Sequence, residues 1–413
     1  MLIIYRLFFI LAVIFGSPYL LIKALLGHHG ITERLGFVPI RQSTGPLYWF
    51  HAASMGELKI LSSIIPELKK PAPQLEIAVS TTTITGRQRA LELFGDKAIV
   101  FLQPLEINSA ILRTIERIKP QKLILVETEI WPLLILTSSG CGLDVSLINA
   151  RMSARSYRIY LWFRPFIKKA MKRLHYVLAQ TDADADRFKS LGASDPQVVG
   201  NIKYDQVLAG GLNRKPAFIL PDSEKLVFVA GSVRRGEDAI FAELVFSLRE
   251  RNKPVLFILA PRHMKDVGDL CLLLDKRNMP YRLWTETRDK DIDTESVLIV
   301  NTMGELVNFY LAADLTFVGG SLVPIGGHDP AEPAALGKPV LFGPYMDNAR
   351  EAADLLVKSG GAQVVKDKEE LLRALCLAVS DKSALAEKGK RCREAILSMA
   401  GISGRIAQII EGH

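Results

Sequence analysis

Cysteine is scarce in this chain: four in 413 residues, at positions 141, 271, 376 and 392, with no C-x-x-C pair and no histidine at zinc-finger spacing. That excludes a disulfide-stapled scaffold and a thiolate metal centre, and it fits a compartment where thiols stay reduced. The seven histidines form no H-x-x-x-H pair, so a helical metal site is not expected either. No G-x-G-x-x-G follows the first strand-like run, which argues against a dinucleotide-dependent dehydrogenase. There is no tandem repeat and no low-complexity run. One stretch, residues 151–176, has no acid at all but eight basic residues.

The chain does have the length for two domains of ordinary size, each able to bury its own core. Hydrophobic residues make up 49% and charged residues 23%, a globular composition. The net charge of +8 predicts attraction to something anionic. In the acid-free stretch, Arg151, Arg155, Arg158, Arg164, Lys168, Lys169, Lys172 and Arg173 accompany Ile159, Trp162, Phe163, Phe166, Ile167, Ala170, Met171 and Leu174 at helical spacing. Such a segment either lies against an anionic bilayer or packs as a core helix with a basic back. Nucleic acid is not the expected partner, because no nucleic-acid module accompanies the charge.

Residues 7–22, LFFILAVIFGSPYLLI, carry no charge between Arg6 and Lys23. As a helix they would reach roughly 24 Å, short of the ~30 Å hydrocarbon core unless the flanking cations snorkel. Pro18 would kink that helix, so a monotopic anchor competes with a spanning one. No small-residue cleavage site follows, and the basic residues after the run predict a protein body on the cytoplasmic face.

Beyond this N-terminal anchor, assigned to residues 1–26, short apolar runs alternate with helical patterns. The strand candidates are 47–51, 76–80, 98–102, 122–126, 145–148 and 176–179, then 226–230, 255–260, 281–284, 297–300, 315–318 and 340–342. The alternation predicts α/β architecture with two doubly wound, Rossmann-like domains. Their expected bounds are 27–205 and 223–413, with a linker at 206–222 marked by Gly210, Gly211, Pro216 and Pro221. Ligands of such sheets collect at the carboxyl ends of the strands, and a cleft is expected where the domains meet.

The polar motifs fall at those strand ends. HAASMGE places Glu57 in the first turn of a helix, where it either complements the helix dipole or serves as a general base. ETEIWP sets Glu127 and Glu129 after the strand LILV, as site carboxylates or as caps for the helix after Pro132. GNIKYD puts Lys203 where a cation could offset phosphate charge. AGSVRRGED is a glycine-containing strand-to-helix turn with the makings of a backbone anion site. APRH brings Arg262, whose guanidinium suits a phosphate. TMGEL follows the next strand, and GGSLVPIGGHDPAEPAALGKP leads into a helix that presents Glu332 for ribose hydroxyls. TDADADRF mimics a D-x-D metal motif, but it opens a helix, and capping explains its aspartates.

Taken in order, HAASMGE, ETEIWP, NARMSARS, GNIKYD, APRH, TMGEL and GGSLVPIGGHDPAEPAA resemble the signature blocks of the bacterial lipid A Kdo transferases, Kdo being 3-deoxy-D-manno-oct-2-ulosonic acid. The resemblance implies a GT-B glycosyltransferase that moves Kdo from CMP-Kdo to a lipid A precursor, lipid IVA, with inversion, at the bacterial inner membrane and without a metal or other cofactor. It implies Glu57 as general base and Glu127 and Lys203 as transition-state stabilisers. It implies CMP contacts from Pro261 and Arg262, from Met303, Gly304 and Glu305, and from Asp329, Pro330, Ala331 and Glu332. Three departures stand out: Ala53 where the family often has Val, Asp329 where it often has Asn, and VRRGE at 233–237 in place of T-H-E-G-E. A GT-B enzyme using a UDP-sugar and a non-catalytic two-lobed binding protein are the alternatives.

Overall fold

The computed structural model describes residues 30–212, 214–218, 225–287, 295 and 297–412. The apolar run at 7–22 lies outside them, and no helix among the described residues is long and apolar enough to cross a membrane. The chain divides into two compact units.

The first unit is built on a parallel sheet of seven strands: β1 (Leu47–His51), β2 (Glu76–Thr81), β3 (Ala98–Leu102), β4 (Lys122–Val126), β5 (Asp144–Ala150), β6 (Tyr176–Ala179) and β7 (Pro196–Val198). Their order is β3-β2-β1-β4-β5-β6-β7, so the winding reverses between β1 and β4. All five residues of β1 are buried because helices cover both faces of the sheet, as a parallel sheet requires. Trp49 and Leu125 enter the core on one face, and Phe50 and Ile124 the core on the other.

The second unit repeats the plan with β8 (Leu226–Val233), β9 (Val255–Pro261), β10 (Tyr281–Leu283), β11 (Val297–Ile299), β12 (Leu315–Val318), β13 (Val340–Phe342) and β14 (Ala362–Val364). The order is β10-β11-β9-β8-β12-β13-β14, all parallel, with the reversal between β8 and β12. Phe228, Phe241, Phe257 and Phe317 interlock across its core, with centroids 5.1 to 6.3 Å apart.

All twelve strands expected from the sequence are present. The two edge strands β7 and β14 are not legible there, because each has only three residues and neither is fully buried, so the apolar pattern is missing. The domain bounds differ from expectation in two ways. The linker assigned to 206–222 is helical in its first part, within Lys203–Leu212. Gly211 breaks no helix there; it lets the backbone approach Leu336, whose Cδ2 would lie 2.6 Å from a Cβ at that position. The closing helix, Ile402–Glu411, belongs to the first unit and not to the second. Its Ile402, Ile406, Ala407 and Ile410 join the core formed by Leu58, Leu61 and Leu68, and Tyr48 Oη donates to Glu411 at 2.8 Å.

The basic segment is two helices, Ala154–Trp162 and Arg164–Met171, broken at Phe163. The single apolar stripe expected there is divided. Phe166, Ile167, Ala170, Met171 and Leu174 are core residues, whereas Ile159, Phe163 and Trp162 face solvent, Trp162 at 82% exposure.

Candidate functional site

In the first unit, the polar residues gather at the carboxyl ends of β1 and β4, the point where the winding reverses and where such sheets bind ligands. Helix Met55–Lys69 starts directly after β1 with Ser54 as its N-cap. Ser54 Oγ accepts from the Glu57 amide at 3.2 Å and donates to Glu57 Oε1 at 2.8 Å, while Glu57 Oε2 accepts from the Ala53 amide at 2.7 Å. This is a capping box shifted by one residue at its return bond. Glu57 therefore does cap its helix, and the box holds the carboxylate in one buried position. Burial pushes its pKa up to about 7 against the opposing pull of Ser54 and Ala53, and the negative charges of Glu129 and Glu127 add to the rise. A carboxylate so placed titrates near neutrality, where a general base is most useful.

Glu127 and Glu129 do not cap the helix that follows them. Its first free amides, of Leu133 and Leu134, donate to Glu106 at 2.9 and 2.8 Å, a buried carboxylate that the sequence reading overlooked. Glu127 stands in the left-handed region, φ 58°, with its amide tied to the carbonyl of Ile148. That unusual conformation in a non-glycine residue sharply turns the chain after β4. Burial raises the pKa of Glu127, opposed by Arg151.

Glu129 is gripped from two sides. Trp131 Nε1 donates to its Oε2 at 2.6 Å, and His51 Nε2 lies 3.4 Å from the same oxygen. Burial pushes Glu129 up, but His51 and Trp131 outweigh it and hold the carboxylate below its ordinary range. His51 is fully buried at the end of β1, its Nδ1 2.9 Å from Ser80 Oγ, which also accepts from Trp49 Nε1 at 2.8 Å. A serine hydroxyl can donate to Nδ1 while it accepts from the indole, and an imidazole that accepts at Nδ1 carries its proton on Nε2, the nitrogen that faces Glu129. Neither His51 nor Ser80 was singled out from sequence. The only signal was the histidine that begins HAASMGE.

Lys203 opens helix Lys203–Leu212, its amide held by Asn201 Oδ1 at 3.0 Å. Asn201 Nδ2 donates to Gln180, and Gln180 donates to the carbonyl of Asn149, so the ends of β5, β6 and β7 are joined by one chain of amides. The D-x-D mimic is structural: Asp184 is buried and accepts from the Met152 amide at 2.8 Å and from Thr181 Oγ1 at 2.6 Å.

In the second unit the site residues line the carboxyl ends of β8, β9, β11 and β12. Pro261 ends β9, and exposed Arg262 follows, its amide bonded to the carbonyl of Val233 at 2.9 Å. After β11 come exposed Met303 and Gly304, the latter at φ 84°, and then Glu305, whose Oε2 accepts from Trp284 Nε1 at 3.2 Å and from Thr302 Oγ1. Asp329 Oδ1 accepts from the Ala331 amide at 3.1 Å, opening the short helix Ala331–Ala335 after Pro330, with Glu332 in its first turn. Asp329 and Glu332 are near enough to buried Tyr310 that, after burial itself, their charges raise its pKa.

The AGSVRRGED turn is not an open anion site. The fully buried Glu237 takes the Arg234 amide of the turn and three amides of the loop after β12: Oε2 accepts from Arg234 at 3.0 Å and Gly320 at 2.7 Å, and Oε1 from Ser321 and Leu322, both at 2.9 Å. Asp238 takes the next donors, of Gly236 and Ala239. What the turn offers a ligand is side chains and not backbone.

Residues 29–206 match the model of a family described as 3-Deoxy-D-manno-octulosonic-acid transferase (kdotransferase). The 3-deoxy-D-manno-octulosonic acid transferase of Haemophilus influenzae is 30% identical over 387 residues, 92% of this chain and 90% of that protein. The transferase of Chlamydophila psittaci is 31% identical, covering 94% of this chain and 91% of the relative. The chain belongs to the 3-deoxy-D-manno-octulosonic acid transferase family. It is a glycosyltransferase that acts in lipopolysaccharide biosynthesis. Solved structures extend the likeness of fold: the UDP-GlcNAc 2-epimerase of Neisseria meningitidis bound to UDP-GlcNAc superposes with a TM-score of 0.55 at 14% identity, covering 88% of this transferase and 98% of the epimerase. MurG of Acinetobacter baumannii gives 0.52 at 11% identity over 90% of this chain and all of its own. The relatives show the family, and the solved structures show a GT-B-like fold.

Proposed function

We propose that this transferase takes Kdo from CMP-Kdo and places it on a hydroxyl of the lipid A precursor lipid IVA, inverting the anomeric carbon. The observation that carries the reading is Glu57, a buried carboxylate fixed by its own helix cap and titrating near neutrality. In this reaction Glu57 accepts the proton of the acceptor hydroxyl as that oxygen bonds to the anomeric carbon. The bond from that carbon to the phosphate oxygen breaks, and its electron pair leaves with CMP. Lys203 and Arg262 offset the charge growing on the phosphate, and Glu127 stabilises the positive charge developing on the sugar. The CMP contacts are Pro261, Arg262, Met303, Gly304, Glu305, Asp329, Pro330, Ala331 and Glu332. These cations fill the role a metal takes in other transferases, so activity should survive chelation by EDTA.

The direct test incubates the full chain with CMP-Kdo and lipid IVA and weighs the lipid product. Glu57→Gln should keep the fold, because the amide oxygen still accepts from Ala53 and its NH2 can donate to Ser54, yet it should form no product. Transfer by that variant would remove Glu57 from the mechanism. Protection against heating by CMP but not by UDP-sugars separates this donor from the UDP-sugar alternative.

The same reading puts the enzyme at the cytoplasmic face of the inner membrane. Its support is the outer surface of helices Ala154–Trp162 and Arg164–Met171, where exposed Trp162, Phe163 and Ile159 sit among exposed Arg155, Arg158, Arg164, Lys168 and Lys169. Aromatic side chains ringed by cations suit the headgroup region of an anionic bilayer, where the acceptor lipid resides.

A further inference from the structure

Beside Arg262 the second unit holds a second cation with no role in the reading above. Arg234 follows β8, at the reversal between β8 and β12, and its amide is anchored on buried Glu237. The same carboxylate oxygen holds the amide of Gly320 across the turn, so Arg234 and the loop after β12 are locked together. Gly320, at φ 72°, has the ring of His328 and the Cγ of Arg234 beside it, 3.2 and 3.4 Å from where a Cβ would stand. Arg234 Nη1 lies 2.8 Å from His263 Nε2. A guanidinium can only donate, so Nε2 is the acceptor and the imidazole carries its proton on Nδ1. His263 thereby aims the guanidinium without competing for its charge.

The two arginines leave neighbouring stretches of backbone, because the Arg262 amide bonds to the carbonyl of Val233, the residue before Arg234. Among the described residues, no carboxylate lies within ion-pair distance of either guanidinium. His328 senses both: after burial, the charges of Arg262 and Arg234 are the largest causes that lower its pKa. Two guanidiniums on neighbouring turns, neither in an ion pair among the described residues, suit a ligand that carries two negative charges.

We infer that Arg234 binds the carboxylate of the transferred sugar while Arg262 binds the phosphate. This rests on the donor reading above and deepens it. In a 2-ulosonic acid the carboxylate is attached to the anomeric carbon itself, the atom that also bears the phosphate oxygen in the activated donor. The two anions are therefore geminal and require two adjacent cation sites, which is the arrangement of Arg234 and Arg262. A nucleotide sugar whose anomeric carbon bears hydrogen in place of carboxylate leaves Arg234 unfilled, so this residue selects for the acidic sugar.

The experiment compares CMP-Kdo, which carries both anions, with CMP, which lacks the carboxylate. KM for CMP-Kdo and the inhibition constant of CMP are measured on wild type, Arg234→Ala, Arg234→Gln and Arg262→Ala. The Arg234 variants should raise KM by about tenfold or more, the worth of one charge-assisted contact, while CMP inhibition changes by less than about twofold. Arg262→Ala should weaken both ligands. Equal weakening of CMP and CMP-Kdo by the Arg234 variants, or no change in either, overturns the assignment. Arg234→Gln keeps the side-chain stem, so loss of folding in Arg234→Ala does not block the comparison. Wild-type protein that CMP fails to inhibit overturns the donor reading itself, a result distinct from failure of the Arg234 variants alone.

Discussion

Glu57 illustrates how one side chain serves both stability and chemistry. Its cap bonds would ordinarily hold a carboxylate ionised and acidic, but burial outweighs them, and the nearby Glu129 and Glu127 push in the same direction. A base must be deprotonated to act, so kcat/KM should climb with pH through an acidic limb near 7 and level off above it. Because the charge of Glu129 is one cause of that elevation, Glu129→Gln should move the limb to lower pH. Glutamine keeps an acceptor for Trp131, so the variant should stay folded. A pH-rate profile of both proteins checks the shift, and an unmoved or raised limb would disprove the coupling. The sequence named the carboxylates here; it did not reveal which of them meets His51, because that contact joins β1 to the turn after β4, 78 residues away.

At the level of elements, the second unit's turns are held by a carboxylate strap. Glu237 sits in the first turn of helix Glu237–Glu250 and ties the turn after β8 to the loop after β12 through four backbone amides. Removing it leaves four donors without their acceptor, two of them in fully buried bonds, a large penalty for one side chain. Glu237→Ala should cost roughly 3–5 kcal/mol in urea denaturation. It should also weaken CMP-Kdo binding, because Arg234 and Gly320 lose their common anchor. A change below about 1 kcal/mol would mean that water replaces the carboxylate. The helix Pro132–Gly140 relies on the same device, with Glu106 supplying the cap.

For the whole molecule, the distribution of charge matters more than its total. The surplus of +8 includes a surface strip on two short helices, and exposed Ile159, Leu161, Trp162 and Phe163 lie within that strip. Replacing Lys168, Lys169, Lys172 and Arg173 with glutamine should weaken binding to anionic vesicles at low salt, and adding salt should erase much of the difference. Vesicle sedimentation measures it; identical binding by the variant would detach the strip from any membrane role. The units are also less separate along the chain than the strand pattern suggests. The first unit is completed by Ile402–Glu411, so its core is assembled only after the second unit has been synthesised.

Local patterning in the sequence was sufficient for twelve of the fourteen strands, the parallel class of both sheets and the strand-end location of the motifs. Apolar runs of four to eight residues report burial on both faces, and the ordered motif blocks pointed to the family. Contacts distant in sequence were beyond its reach. The partition of the 154–171 segment into a core half and an exposed half depends on which helices pack over it. So does the return of the last helix, whose isoleucines would read the same against either sheet. The conversion of a glycine turn from an open anion site into a closed strap depends on a carboxylate meeting amides 83 to 85 residues away. Periodicity tells a residue whether it is buried; only the tertiary fold decides what it is buried against, and that neighbour sets its charge, its partners and its use.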